Sequence, residues 1–344
     1  MQKKYLTLLF MIAFSLLVVV GCSDSSSNNS ENGSADSGSS AESIVLKLGH
    51  GTATDSLYHV GAEKFKELVE EKTEGKVTVE LFSDGKLGHD KDLVEGMKLG
   101  TIQAGMIGVE PLTNIAPKLK ATNLPYIFAD RETAYKVLDG EVGQEMVENL
   151  PSEQGVRILG YFENGFRNVT NSRNEILTPE DLKGLKIRTP DSPVSLAIFN
   201  ALGANPTPMS FGELYTALEQ GTVDGQENPL ALIHSSKLYE VQEYVSLTGH
   251  IYSPMVLAIS EKTYQDLGEE LQKLVQEAAD EAKEYERTVS EEQESELISA
   301  LEAEGVKISE PDKTPFIEAT KDVHLEFDAE YGADFYERLI EATN

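Results

Sequence analysis

The sequence predicts an α/β protein built in two parts. Strand-like and helix-like segments alternate at the start of the folded region: a strand at 44–49, a helix at 56–73, and further strands at 77–82 and 102–109. This order favours a largely parallel sheet with covered faces. The chain has 344 residues, more than one ordinary hydrophobic core accommodates. The run 269–304 lacks Gly and Pro and carries a helical apolar stripe, so we expect one helix of about 54 Å, or a broken pair of helices, that braces two lobes.

The remaining elements are shorter. A helix precedes Gly100, and Gly203 and Gly221 end two further helices, because glycine readily adopts the left-handed conformation that closes a helix. The further predicted strands are 156–162, 185–189, 223–226 and 255–260, and the predicted helices are 192–202 and 211–220.

The first 22 residues resemble a bacterial export signal. Lys3 and Lys4 precede an apolar run at 6–20, and Gly21-Cys22 ends it in the manner of a lipobox. Because Cys22 is the only cysteine of the chain, it forms no internal disulfide, and lipidation would explain its presence. The alternative is an uncleaved anchor helix with an incidental cysteine. We therefore expect an extracytoplasmic protein anchored to the cell membrane through lipidated Cys22.

A polar segment separates this anchor from the folded body. Residues 23–43 contain Ser, Asn, Asp, Glu, Gly and Ala but no large apolar side chain. Such a segment buries too little apolar surface to offset its ordering entropy, which predicts a flexible tether. The folded body is expected to begin at Ile44.

Composition and motifs exclude several functions. With 59 Asp and Glu against 29 Lys and Arg, the net charge is -30, and nucleic acid as a partner is excluded by this acidity. The six histidines have no metal-ligand spacing, and there is no phosphate-binding loop, dinucleotide fingerprint or nucleophile elbow. We expect no cofactor, no metal and no enzymatic activity.

Three polar side chains mark the predicted ligand site. Arg188 stands at the end of a strand that Pro190 terminates, Arg167 follows another predicted strand, and Asn228 follows a third. Ligands of open α/β sheets gather at the carboxyl ends of strands, and a guanidinium matches a carboxylate with two parallel hydrogen bonds. The pattern predicts that Arg188 clamps a carboxylate. The alternative is a surface arginine paired with one of the many acids.

Three stretches carry a resemblance to a known family. GLKIRTP, ALGANPTPMSFGELYTALEQGTVDGQENPL and LYEVQEYV resemble the solute-binding proteins of tripartite ATP-independent periplasmic (TRAP) transporters, and the similarity extends from Val45 to the C-terminus. The resemblance implies a two-lobed, type II-like clamshell that closes on an organic acid and delivers it to a small and a large membrane subunit. It places lobe I at 44–164 plus 254–293 and lobe II at 165–253 plus 294–344.

The resemblance also implies roles for individual residues. Arg188 matches the family arginine that makes the principal salt bridge to the ligand carboxylate. The other matching positions are Arg167 and Asn228, which add contacts, Phe211, which packs near the ligand, and His50 and Tyr252, which face the cleft.

The ligand class follows from departures from the family pattern. Sialic acid members carry Asn and Glu where this chain has Gly51 and, approximately, Gly108, which argues against sialic acid. A sugar acid, either a uronate or an aldonate, is the expected ligand, and Asn164, Asn168, Asn228 and the histidines are expected to bind its hydroxyl groups. C4-dicarboxylates are the alternative ligands. A sugar-acid lyase or isomerase and a ligand-sensing module are the alternative functions.

Overall fold

A computed structural model describes residues 43–344 of the chain. The export signal, Cys22 and the tether up to residue 42 lie outside the described residues, so the predictions made for them stay predictions. The strands are β1 (Ile44–Gly49), β2 (Val77–Phe82), β3 (Ala104–Gly108), β4 (Val156–Asn171), β5 (Lys186–Thr189), β6 (Asn205–Pro208), β7 (Gly225–Pro229), β8 (Tyr244–Ser260) and β9 (Lys307–Ser309).

Helices cover the sheet and follow the C-terminal strand. They are α1 (Leu57–Lys72), α2 (Asp90–Leu99), α3 (Arg131–Leu138), α4 (Glu141–Val147), α5 (Leu150–Gln154), α6 (Pro193–Ala201), α7 (Phe211–Glu219), α8 (Leu230–Ser235), α9 (Glu261–Ala303), α10 (Thr314–Thr320), α11 (Asp328–Tyr331) and α12 (Ala333–Thr343). Short 3-10 helices lie at Glu110–Asn114, Pro117–Asn123, Pro179–Leu182, Leu238–Glu240 and Val323–Glu326.

Local sequence signals explain where several helices begin and end. The Ser56 side chain accepts a hydrogen bond from the backbone N–H of His59 and caps α1. Ser192 caps α6 in the same way, and Pro193 occupies the first helical position, where its missing N–H costs nothing. Gly100 ends α2 with φ +71°, a conformation that favours glycine. These helices therefore start and stop close to the predicted residues.

The nine strands described within residues 43–344 form one mixed sheet. The order is β2-β1-β3-β8-β4-β7-β5-β6, and β9 pairs with β8. Strand β1 is parallel to β2 and β3, and β5 is parallel to β6 and β7. The central pairs β3–β8, β8–β4 and β4–β7 are antiparallel. The predicted parallel arrangement thus holds on each side of the sheet, and two antiparallel strands join the sides.

These central strands are much longer than the sequence patterns indicated. Strands β4 and β8 have 16 and 17 residues and pair along nearly their whole length. The pairing changes register at three places, one of them between Glu163 and Gly165. Gly165 has φ +116°, which only glycine adopts without strain. Both strands therefore cross the middle of the molecule and belong to both of its sides.

The α/β two-lobed fold predicted from the sequence is confirmed. We use lobe I for the elements on the β2-β1-β3 side of the sheet and lobe II for those on the β7-β5-β6 side. The core of lobe I packs α1 and the first half of α9 against the sheet, and a smaller core in lobe II packs α7 and α8. A third apolar cluster includes α2, α6 and the C-terminal helices.

The long helix predicted at 269–304 is confirmed as the main part of α9. Gly268, with φ +74° and ψ 159°, breaks α9 near its start. The helix contacts α1 in lobe I and α8 in lobe II, so it bridges both lobes. The C-terminal α10 packs on α6, whereas α12 packs on α3. The lobe bounds given for the whole chain stay a prediction.

Two further properties concern residues 43–344 only. None of the helices described there has the length and apolarity needed to cross a membrane. Within the same range, no group of three or more His, Cys, Asp or Glu side chains is arranged to hold a metal ion.

Candidate functional site

Arg188 lies in β5, between β6 and β7, with Pro190 directly after the strand. Its side chain is 3% exposed. The guanidinium donates two hydrogen bonds to the Met209 carbonyl oxygen, from Nε at 3.0 Å and from Nη2 at 2.7 Å, and lies 5.9 Å from the centre of the Phe211 ring. The segment before α7 therefore fixes the orientation of the guanidinium.

Arg188 has no carboxylate within salt-bridge distance among residues 43–344. Burial, followed by the nearby positive charge of Arg167, lowers the pKa of Arg188 to about 10. The group still carries its charge at neutral pH. A buried cation without a paired anion is costly, so this position is suited to an anion supplied by a ligand.

Arg167, in contrast, is neutralised by the protein. Its Nε and Nη2 atoms lie 2.5 and 2.8 Å from the two carboxylate oxygens of Glu227, and Nη1 lies 3.3 Å from Glu110. These carboxylates raise the pKa of Arg167 in spite of its burial. Nη2 also donates to Asn228 Oδ1 at 3.0 Å. Arg167 is therefore an organising group more than a free charge.

The positions of Arg167 and Asn228 differ from the prediction. Both lie inside strands, because β4 continues past the predicted end at 162 and β7 begins later, at Gly225. Arg167 stands opposite Pro229, and Asn168 stands opposite Asn228, in the antiparallel β4–β7 pair. Cross-strand pairing therefore brings them together, not a shared edge of parallel strand ends.

One cavity contains four of the predicted site residues. Its lining consists of side chains from both lobes and from the shared strand β4. These are Gly51, Thr52, Tyr58, Asp90, Glu110, Asn164, Arg167, Arg188, Pro190, Phe211, Asn228 and Leu232. The predicted convergence of Arg188, Arg167, Asn228 and Phe211 is thus observed, and Asn164 joins them. Asn168 does not line this cavity.

Sequence reasoning missed two carboxyl groups that face Arg188. Asp90 Oδ2 accepts the backbone N–H of Gly108 at 3.2 Å, and burial, followed by the charge of Glu110, raises the pKa of Asp90 to about 7. Glu110 is 4% exposed and accepts hydrogen bonds from Ser253 and Arg167. Asp90 resembled a solvated helix residue in the sequence, so nothing marked it.

Glu110 also corrects the argument made from Gly108. The acidic residue after β3 is present, two positions later than the comparison with sialic acid binders assumed, because β3 ends at Gly108 and the chain turns back to the cavity. The absence of a glutamate at position 108 therefore no longer argues against sialic acid. Tyr58, from α1, completes this wall of the cavity.

The structure does not bring His50 to the cavity. Its ring is fully buried behind the lining, with Nδ1 3.1 Å from Thr52 Oγ1 and Nε2 3.0 Å from His59 Nδ1. Burial, followed by the charge of His59, lowers the pKa of His50 to about 4. The next two residues, Gly51 and Thr52, line the cavity in its place. His50 thus supports the loop that reaches the ligand site.

Tyr252 is also behind the cavity wall. Its hydroxyl donates to Glu163 Oε2 at 2.5 Å, and its ring packs edge-on against Phe128 and Phe166. The side chain is 2% exposed and stabilises the middle of the β4–β8 pair. A direct contact between Tyr252 and a ligand therefore has no support in this arrangement.

A larger cleft adjoins the cavity. The two share Asp90, Arg188, Pro190 and Phe211, and the outer cleft adds residues that include His89 and Lys91 from lobe I and Met209 and Ser210 from lobe II. Arg188 therefore stands between a small inner cavity and a wider entrance.

Known proteins share this architecture. The family model for bacterial extracellular solute-binding proteins, family 7, matches residues 48–330. The 2,3-diketo-L-gulonate-binding periplasmic protein of Escherichia coli is 37% identical over 308 residues, which are 88% of this chain and 93% of that protein.

Two crystal structures of TRAP periplasmic solute-binding proteins are similar as well. The protein from Polaromonas sp. JS666, bound to D-erythronate, matches with a TM-score of 0.84 and 37% identity over 86% of this chain and 98% of that one. The protein from Roseobacter denitrificans with bound L-galactonate matches with a TM-score of 0.83 and 38% identity over 89% and 100% of the two chains.

Proposed function

The chain belongs to the bacterial extracellular solute-binding proteins of family 7, and we propose that it binds a sugar acid, an aldonate or a uronate, for a TRAP transporter. The D-erythronate, L-galactonate and 2,3-diketo-L-gulonate bound by its relatives are all hydroxylated carboxylic acids. Each combines one anionic end with a polar chain, and the cavity offers groups suited to both parts.

The observation that carries the proposal is the buried Arg188. Its guanidinium is held by Met209, has no carboxylate partner among the described residues, and lines the cavity. A ligand carboxylate placed there gains charge-assisted hydrogen bonds and relieves the cost of the buried cation. Arg167 is already paired with Glu227, so Arg188 is the principal anion-binding group.

The opposite wall favours hydroxyl groups over a second carboxylate. Glu110 already accepts two hydrogen bonds, and Asp90, with a pKa of about 7, accepts from a ligand hydroxyl when ionised and donates to one when protonated. A dicarboxylate would place its second negative charge near these two acids, which is unfavourable in a buried site. This arrangement supports a sugar acid over a C4-dicarboxylate.

Both lobes contribute to the cavity, which suggests how binding closes the molecule. Tyr58, Asp90 and Glu110 come from lobe I, whereas Arg188 and Phe211 come from lobe II. A ligand that contacts both walls binds the closed form more tightly than the open form, and this difference drives closure. Closure also removes water and strengthens the contact with Arg188.

The proposal includes a role in delivery without chemistry. The loaded protein would present its ligand to the small and large membrane subunits, and a lipid on Cys22 would keep it near them. A sugar-acid lyase or isomerase would instead convert the ligand in the cavity. Recovery of the bound ligand chemically unchanged after long incubation supports transport, and conversion contradicts it.

A thermal-shift screen tests the ligand class. The panel contains L-galactonate, D-galacturonate, D-erythronate and 2,3-diketo-L-gulonate, with succinate as the dicarboxylate and galactose as the uncharged control. A ligand at about 100 times its Kd stabilises the folded form by about 2.7 kcal/mol. We expect stabilisation by at least one sugar acid and none by galactose. Stabilisation by succinate alone would contradict the proposal.

A further inference from the structure

His89 lies directly before α2 in lobe I, at the entrance of the cavity. Its backbone N–H donates to an Asp92 carboxylate oxygen at 3.0 Å, which fixes the start of the helix. The ring atom Nδ1 is buried and has no hydrogen-bond partner among the described residues. The ring therefore has a defined position that its own polar contacts do not explain.

Three glycines explain that position, because the imidazole fills the space where their side chains would be. A Cβ atom added at Gly51 would lie 2.6 Å from His89 Nδ1, and one added at Gly85 would lie 2.9 Å from Cε1 and Nε2. A Cβ atom added at Gly212 would overlap Nε2. A real Cβ atom does not come so close to another side chain, so only glycine fits at these positions. The His89 ring therefore packs directly on the backbone of all three glycines.

Two of the three glycines belong to lobe I and one belongs to lobe II. Gly51 and Gly85 are in lobe I with His89, whereas Gly212 is the second residue of α7 in lobe II. The ring thus joins lobe I to lobe II. The contact lies beside the ligand site, because Gly51 lines the cavity and Phe211, the neighbour of Gly212, faces Arg188.

We propose that His89 is a positioning residue that holds the cleft closed by packing against Gly212, and that it thereby sets the lifetime of the bound ligand. The inference rests on the proposed function, since it concerns release of the sugar acid. Separation of the lobes would remove the contact with Gly212 but leave those with Gly51 and Gly85. The contact therefore stabilises the closed form alone.

Gly212→Ala tests this directly. The added methyl group collides with the imidazole only when the lobes are together, so the closed form bears the cost. We expect ligand affinity to fall by about tenfold or more, chiefly through faster dissociation. The ligand-free protein should keep or raise its melting temperature, because Ala is a better helix former than Gly. A purely structural defect would lower both the ligand affinity and the melting temperature of the ligand-free protein.

The variant His89→Ala shows whether the imidazole is responsible. It should also release ligand faster, and in its background Gly212→Ala should cost no further affinity, because the clashing ring is gone. Gly160→Ala is the matched control, since a Cβ there makes only ordinary contacts at 3.6 Å. An unchanged dissociation rate in Gly212→Ala, or an undiminished effect of Gly212→Ala on top of His89→Ala, overturns the proposal.

The ligands used in these tests are L-galactonate, D-erythronate and 2,3-diketo-L-gulonate. Calorimetry measures the affinity, and stopped-flow fluorescence measures the dissociation rate. If the wild type binds none of them, the proposed function fails, and the contact is tested separately without ligand. The full chain carrying Cys22→Ser, His89→Cys and Gly212→Cys should then react with a short thiol crosslinker, which traps the closed form each time the lobes of the ligand-free protein come together. The pair His89→Cys and Gly221→Cys, at the far end of α7, should not. Equal crosslinking of both pairs, or of neither, overturns the proposal.

Discussion

Arg167 and Glu227 form a two-point ion pair in the interior of the sheet, with Nε 2.5 Å from Oε2 and Nη2 2.8 Å from Oε1. Glu227 is fully buried and also accepts a hydrogen bond from His250 Nε2 at 3.2 Å. Arg167 lowers the pKa of Glu227 to about 2 in spite of the burial. Of the two cavity arginines, Arg167 is therefore neutralised by the protein, and Arg188 remains available to a ligand.

We expect Glu227→Gln to destabilise the protein. It removes the closer of the two carboxylates that neutralise Arg167 and leaves the buried guanidinium with Glu110 alone, which costs about 3 kcal/mol of unfolding free energy. Urea denaturation of the ligand-free protein measures the loss. The control is Glu219→Gln, because Glu219 is exposed on α7. Equal stability of the two variants would show that the ion pair does not support the fold.

Arg188→Ala should affect ligand binding and not folding. The ligand carboxylate loses its charged partner, which weakens binding by about 2 to 5 kcal/mol. Arg188→Lys should bind with intermediate affinity, because an ammonium keeps the charge but not the two-point geometry. Isothermal titration calorimetry with the sugar acid that binds the wild type measures both losses.

The matched control for Arg188 is Arg173→Ala. Arg173 is 64% exposed and pairs with Asp224, away from the cavity. Its removal should leave ligand affinity unchanged. A loss of less than tenfold in Arg188→Ala would reject Arg188 as the principal anion-binding group.

Asp90 should make stability depend on pH. Its folded-state pKa of about 7 exceeds the ordinary aspartate value of about 3.9, so the folded form binds the proton more tightly. The unfolding free energy should therefore fall as pH rises between about 4 and 7. Asp90→Asn should lack this contribution. Denaturation curves of wild type and variant across that range measure the difference, and parallel pH profiles would contradict the assignment.

Cys22→Ser should release the protein from membranes. Without the thiol there is no acyl attachment, and the described residues contain no helix that could span a membrane. Fractionation of cells that produce each form, followed by detection of the protein in the membrane and soluble fractions, measures the change. Continued sedimentation of Cys22→Ser with membranes would reject lipidation.

The elements that the sequence predicted well have strong local signals. Helix α1 has a serine cap and regular apolar spacing, and the predicted strand at 77–82 has the bounds of β2. The predicted strands at 156–162 and 255–260 covered only parts of β4 and β8. Their continuations contain Gly, Pro and polar residues, which pair because each strand has partners on both sides.

In the ligand site, too, the residues with a clear local signal were predicted, whereas those placed by tertiary contacts were not. Arg188 was found because Pro190 fixes the strand end next to it, and Phe211 through the resemblance. Asp90 and Glu110 lie near the starts of helical turns, where carboxylates are common for local reasons, and only the tertiary structure turns them toward Arg188. His50 and Gly51 are adjacent in sequence, yet only Gly51 reaches the cavity.

The shared strands β4 and β8 have a consequence for folding. Each lobe takes part of its sheet from these strands, and α9 packs on both lobes. A fragment that carries one lobe alone would expose unpaired strand edges and half of an apolar core. We therefore expect a calorimetric scan of the ligand-free protein to show a single cooperative melting transition, in which neither half outlasts the other.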